Sequence, residues 1–318
     1  MVDNILSIFT RLATVGRHTA LTLFLAATAL PAFALIEYTD SQRDTIVELV
    51  EQLETRHYAK LEYDDTLSSA HLDAYIDSLD GSKMFFLASD IKEFEQYRKV
   101  MDDQLPEGNL DAGFNIFNRF QQRLEARLES VLAALPETVA AMDFTVDETL
   151  DLDTDDRRWA KDTAVLDDRW RKHLKNQVLS LRLADKPAEE IPETLQRRYE
   201  NQLKRVRQYN NQDVFQIYAN ALTELYDPHT NYFSPRRSEN FNINMSLSLE
   251  GIGAVLQLED EYTKVARLVP AGPADKQGEL QPSDRIVGVG QGEDGDIEDV
   301  IGWRLDEVVE LIRGPKDS

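Results

Sequence analysis

The 318-residue sequence contains no cysteine. Disulfides, thiolate nucleophiles and cysteine-ligated zinc are thereby excluded. Positive charge is scarce: 35 Lys and Arg stand against 58 Asp and Glu, a formal net charge of −23. Nucleic-acid binding draws on cations that displace counterions from phosphates, and this balance opposes it. The same balance opposes docking on anionic lipid. Histidines number five, and they are scattered. His71 and His173 sit singly in helical stretches without a His-x-x-x-His or Glu-x-x-His partner, so no metal site and no cofactor is expected. His57 lies on an apolar stripe and reads as core or bundle edge, while His229 follows an Asp-Pro that reads as a structural turn. No carboxylate pair stands out from so acidic a background.

Long apolar runs are also missing after the N-terminus. The first 34 residues carry Arg11, Arg17 and His18, an uncharged and mostly apolar run from Thr19 to Leu30, then Pro31 and the small-x-small triplet Ala32-Phe33-Ala34. This is the layout of a cleavable secretory signal, with cleavage expected after Ala34. The run is shorter than the ~20 residues of a membrane span. An exported, periplasmic product with no stable membrane span after cleavage is the expectation.

What is present divides the chain in two. Residues 35–226 keep a helical apolar period, and about seven helices are predicted. Ile46, Leu49, Val50, Leu53, His57 and Leu61 share one stripe. Leu72, Tyr75, Ile76 and Leu79 share another, with Gly81 as its stop. Further stripes run through Ile91, Phe94, Tyr97, Met101 and Leu105, and through Phe117, Phe120, Leu124, Leu128 and Leu135, which Pro136 is expected to close. From Asp155 to Leu183 the period carries Trp159, Leu166, Trp170 and Leu174. Beyond Asp227-Pro228 glycine becomes frequent and apolar residues alternate. "NINMSLSL", residues 242–249, reads as an alternating strand, and so do stretches of "IGAVLQL", "TKVARLV" and "DRIVGVG". One late amphipathic helix lies between Gly302 and Gly314. The fold class expected is α+β and multidomain: a signal peptide (1–34), an all-α helical domain (35–226), a linker or hinge strand (227–247), and a small β-rich domain (248–318).

Two chemistries can be weighed from the residues. Ser89 and Lys92 stand in a Ser-x-x-Lys spacing, but Asp90 and Glu93 fit a capping box there, which leaves Lys92 on an exposed first turn. In "SLEGIGAVLQL", Gly251 and Gly253 lead into a strand. A dinucleotide loop needs a helix and a third glycine at that point, so the phosphate reading fails. A short glycine turn feeding a strand can instead hold a carboxylate on free N–H groups while the strand edge pairs with a peptide. Gly251, Ile252, Gly253 and Ala254 are the candidate cradle. Leu305, Val309 and Ile312 are the candidate side-chain trough, and Val308 and Leu311 would face the domain's own core.

The segment "SLEGIGAVLQLEDEYTKVARLVPAGPADKQGELQPSDRIVGVGQ" with "DVIGWRLDEVVELIRGPK" resembles the PDZ domain of the tail-specific, or carboxyl-terminal processing, proteases. Ser283-Asp284 stands where Gly-Asp is usual. "LYDPHTNYFSP" and "DGSKMFFLASDI" are similar to further motifs of the family's long periplasmic branch. The resemblance implies a serine endopeptidase that binds the apolar C-terminal tails of unfolded or tagged proteins. It implies a Ser-Lys dyad in a core C-terminal to the PDZ, a hinge role for residues 242–249, and contact with a lipoprotein adaptor. No stretch here matches the serine or lysine motif. No catalytic residue is therefore assigned, and the chain is expected to be an N-terminal fragment, its PDZ truncated, inactive alone. The other class that fits is a non-catalytic exported adaptor, helical domain plus PDZ-like module, that presents proteins to another protease or chaperone.

Overall fold

The computed structural model describes residues 35–154, 156–246, 251–259, 261–292 and 295–313. The proposed signal segment, residues 1–34, lies outside them. An all-helical part is followed by a small strand-containing part, as an α+β chain requires.

Among the described residues eight α-helices precede Asp227: α1 (Asp40–Thr55), α2 (Asp65–Asp80), α3 (Ala88–Phe94), α4 (Met101–Gln104), α5 (Asp111–Ala140), α6 (Thr163–Leu183), α7 (Ile191–Arg207) and α8 (Asn211–Tyr226). Their starts are written locally. Thr39 and Gln42 form a reciprocal capping box on α1, Asp64 caps α2, and Asn210 with Asp213 caps α8. Gln42 is buried, and its side-chain amide donates to the Asn211 carbonyl at 3.0 Å, so one cap braces another.

Several boundaries differ from the sequence reading. α1 ends at Thr55, which leaves His57 and Leu61 off its stripe, and Leu61 is exposed. Pro136 does not close its helix: α5 runs on to Ala140, and Leu135 and Val139 stay buried on either side of it. A proline costs a helix one hydrogen bond, and burial of that final turn outweighs it. The stretch from Ile91 to Leu105 is broken into α3, a 3₁₀ turn, the single turn of α4 and another 3₁₀ turn. α6 starts only at Thr163, so Trp159 sits in the preceding connection. That connection is held by a bridge between Leu87 and Ala160, with Ala88 N–H donating to Ala160 O at 2.8 Å.

The core forms where α2 and α8 meet α5. Tyr75 and Tyr218 are fully buried, Tyr75 Oη donates to the Gly113 carbonyl at 3.0 Å, and the two rings meet edge to face. Gly113 makes this approach possible, since a Cβ there would stand 2.6 Å from the Tyr218 ring. Two buried carboxylates shape the connection after α2. Asp80 accepts from the N–H groups of Met84, Phe85 and Phe86, each at 2.8 Å. Burial raises its carboxyl above the usual range, against those three donors. Asp90 accepts from Leu87 N–H and binds Arg119 and Arg123. The expected Asp90–Glu93 capping box is thus absent; Leu87 is the cap residue of α3.

The second part contains α9 (Pro235–Ser246), β1 (Ala254–Glu259), β2 (Tyr262–Leu268), α10 (Pro273–Gln277), β3 (Arg285–Ile286), β4 (Gly288–Val289), β5 (Glu298–Asp299) and α11 (Leu305–Arg313). The strand expected over residues 242–249 is not seen. Residues 242–246 finish helix α9, and the remaining residues, 247–249, lie outside the described set. Two-residue alternation alone does not exclude a helix when the residues carry little apolar weight. β1 and β2 form an antiparallel hairpin with a bulge between Val255 and Leu256, β3 pairs with β2, and β4 pairs separately with β5. Val265, Ala274, Val300 and Val308 are buried in this part.

Candidate functional site

The sheet order β1-β2-β3 leaves one long edge of β1 unpaired among the described strands. α11 packs against β1 and β4. An open strand edge beside a helix is a slot that an extended peptide can enter as an added strand.

The turn at the head of β1 has two glycines at positive φ, Gly251 at 134° and Gly253 at 75°. Gly253 could not be replaced freely, because a Cβ would stand 3.1 Å from both Gly272 Cα and Pro273 Cδ. The turn's carbonyls are tied inward. Ile252 O accepts from Ala274 N–H and Gly253 O from Val269 N–H, both at 2.8 Å. The N–H groups of Ile252 and Gly253 donate to no other group among the described residues. A turn with its acceptors used and its donors open presents positive partial charge, which suits a carboxylate. The C-terminal end of α11 stands beside it, with Arg313 Cγ 4.0 Å from the point where a Gly251 Cβ would lie.

Leu305, Val309 and Ile312 recur at helical spacing along α11 and all three are half-buried. Val308 is fully buried, as a core-facing residue should be. Leu311 is only half-buried, and its carbonyl accepts from the Gln291 side chain at 2.8 Å. Ile252 and Ala254 are half-buried at the turn and at the start of β1. The structure therefore places the helix that carries one candidate set against the strand and turn that carry the other. Ser89 and Lys92, by contrast, are both exposed on α3 and share no hydrogen bond. His57 meets Thr230 at 3.0 Å, and His71 is buried between Tyr63 and Tyr218.

The start of α11 is also anchored to the helical part, which the sequence did not reveal. Arg304 binds Asp213 of α8 and the Gln208 carbonyl, and the Gln208 amide donates to Gly302 O at 2.8 Å. Arg236 of α9 reaches Asp306 at 2.6 Å and Glu310 at 2.5 Å. The Asp213 carboxylate raises the Arg304 guanidinium above its ordinary value. Burial pushes Asp306 up, but Arg236 and Arg304 outweigh it and hold its carboxyl low. Arg304 and Asp213 are 91 residues apart in the chain, a separation no periodicity or spacing reports.

Comparison with known proteins gives the family. The profile described as the tail-specific protease N-terminal domain matches residues 49–236, more than half of the chain. This chain belongs to the tail-specific protease family. The PDZ domain profile matches residues 240–318. The tail-specific protease of Haemophilus influenzae is 37% identical over 305 residues, covering 92% of this chain and 43% of that protein. The chain thus spans under half the length of this curated relative. The carboxy-terminal processing protease CtpA of Bacillus subtilis is 32% identical over 97 residues, 30% of this chain and 19% of that protein. A solved PDZ domain of the Vibrio cholerae carboxy-terminal protease, in complex with peptide, is 60% identical. It covers 22% of this chain and 70% of that one, at a TM-score of 0.21. Within the tail-specific protease family, then, the groove described above belongs to the PDZ segment. No described helix is long and apolar enough to cross a membrane.

Proposed function

We propose that this chain is the substrate-recognition portion of an exported tail-specific serine endopeptidase, and that its groove takes the apolar C-terminus of a polypeptide. The observation that carries the reading is the Gly251–Gly253 turn, with carbonyls tied and N–H groups open, at the head of a free strand edge beside α11. The terminal carboxylate sits on the Ile252 and Gly253 N–H groups, the peptide backbone pairs along β1 from Ala254, and the last side chain enters between Leu305, Val309 and Ile312. Family membership supports peptide recognition linked to proteolysis. Hydrolysis by a Ser-Lys dyad is the chemistry that family membership suggests, and Ser89 with Lys92, both exposed on α3, has no part in it. Export follows from the signal layout of residues 1–34, with the mature chain beginning at Leu35 in the periplasm. The functional division is 35–226 for the helical domain, 227–247 for the connection, and 248–318 for the PDZ.

Calorimetry with peptides ending in Ala, Val or Leu tests the groove. A free carboxylate should bind more tightly than the amidated peptide by about 1.5 kcal/mol, the worth of a charge-assisted hydrogen bond. Equal affinity of the two forms rejects the cradle.

A further inference from the structure

The helical part holds a second concavity, remote in sequence from the groove. A cleft of about 760 Å³ lies between the turn after α2, the connection between α5 and α6, and the faces of α6 and α7. That volume is within the range of ligand sites. Its apolar lining includes Met84, Phe85, Trp170 and Tyr199, and its charged lining includes Arg157, Arg158, Arg169 and Lys172.

The arginines are unusual for so acidic a chain. Arg157 donates to the carbonyls of Ser82 and Asp151, and Arg169 donates to those of Lys83 and Arg158. Among the described residues, the side-chain bonds of Arg157 and Arg169 all go to carbonyls, and Arg158 forms no ion pair. Burial and the neighbouring Arg157 both lower Arg169 from its ordinary value, against a weaker pull from Asp80. Guanidiniums held in place by carbonyls keep their remaining N–H groups fixed, which favours an incoming carboxylate. Acidic groups are present too: Asp151, Asp156 and Asp168 line the cleft, and Asp168 is spent on Arg171 and Lys172.

The connection that forms one wall says what kind of ligand fits. Residues 147–154 have no helix, strand, turn or bend. Among the described residues no backbone–backbone hydrogen bond uses Thr149, Leu150 or Leu152, and Leu152 is 78% exposed. A stretched backbone with unspent donors and acceptors pairs with another chain by strand addition. We propose that this cleft is a second polypeptide site, which takes an internal segment carrying both acidic and aromatic or aliphatic side chains. Carboxylates of the segment meet Arg157, Arg158 and Arg169, apolar side chains reach the Trp170 floor, and its backbone runs along residues 149–152. No free C-terminus is needed, so the site stands apart from the groove reading and can hold or fail without it.

The probe is the pentapeptide Asp-Phe-Glu-Leu-Asp, acetylated and amidated, titrated into the full chain while tryptophan emission and heat are recorded. Saturable binding is expected, weakened at least tenfold by the Asn-Phe-Gln-Leu-Asn analogue and by Arg158→Glu with Lys172→Glu. Arg158 is exposed and its side chain makes no bond among the described residues, and Lys172 gives up only a long surface pair with Asp168 at 3.5 Å, so this variant should fold, as circular dichroism would verify. Val309→Glu in the groove should leave pentapeptide binding unchanged. The proposal is overturned by absent binding, by equal binding of the uncharged analogue, or by loss on Val309→Glu. Equal affinity for N-acetylphenylalaninate would overturn it as well, since that result describes a small-anion site.

Discussion

Lowering the pH should destabilise this protein through one imidazole. His71 is fully buried between α2 and α8. Its Nε2 faces the Tyr218 carbonyl at 3.0 Å, and its Nδ1 faces Tyr63 Oη at 2.9 Å. A carbonyl only accepts, so Nε2 carries the proton and Nδ1 accepts from the tyrosine hydroxyl. Protonating Nδ1 removes that acceptor and places a charge where no carboxylate among the described residues answers it. Burial accordingly lowers the His71 value from 6.5 to about 4, with the Tyr218 carbonyl opposing it. The folded value lies below the unfolded one, so between them the unfolded chain binds more protons. The stability contribution is complete above the unfolded value and is lost as the pH falls toward the folded one. At about pH 5 the loss amounts to roughly thirtyfold in the unfolding equilibrium, or about 2 kcal/mol. Urea unfolding followed by helical circular dichroism, near neutrality and near pH 5, measures it. Other titrating groups contribute, including Asp80, whose raised carboxyl acts in the opposite direction. His71→Gln isolates the imidazole, because glutamine can still donate to Tyr218 O and accept from Tyr63. The wild-type chain should lose about 2 kcal/mol more than the variant over that interval. Equal losses would refute the assignment of a neutral, buried His71.

Two further substitutions test what holds the parts in place. Asp90→Ala removes a carboxylate that is 1% exposed and strands Arg119, Arg123 and the Leu87 N–H. Because the arginines can partly rehydrate, a loss of about 2–3 kcal/mol is expected in urea unfolding, below the range for a fully buried pair. A loss under about 0.5 kcal/mol would mean that the pair behaves as a surface bridge. Arg304→Ala should cost about 1 kcal/mol or less in global stability, yet raise amide exchange selectively over residues 302–313. Unchanged exchange there would show that the ionic contacts to Asp213 do not hold α11.

Much of this protein was legible in its sequence, for reasons that are local. The stripes through Ile46, Val50 and Leu53 and through Leu72, Tyr75 and Ile76 are buried as their spacing requires, since a helix repeats its face every three to four residues. The change of texture near Asp227-Pro228 coincides with the end of α8, and Gly251 and Gly253 adopt the positive φ that a glycine turn allows. By local cost alone Pro136 should stop its helix, and the burial of Leu135 and Val139 overrides that cost. Residues 242–246 alternate like a strand but close a helix, because weakly apolar residues leave the choice to neighbours.

The sequence by itself determined the helical periods, the glycine turn, the apolar spacing on α11 and the family motifs, each carried by residues close together in the chain. Only the tertiary structure decided the rest. It tied the turn's carbonyls to the N–H groups of Ala274 and Val269, and it packed α11 against β1 and β4. It joined Arg304 to Asp213, and it gathered arginines from separate segments around Trp170. Those arrangements depend on which distant backbones approach, a property of packing that no stretch of sequence contains.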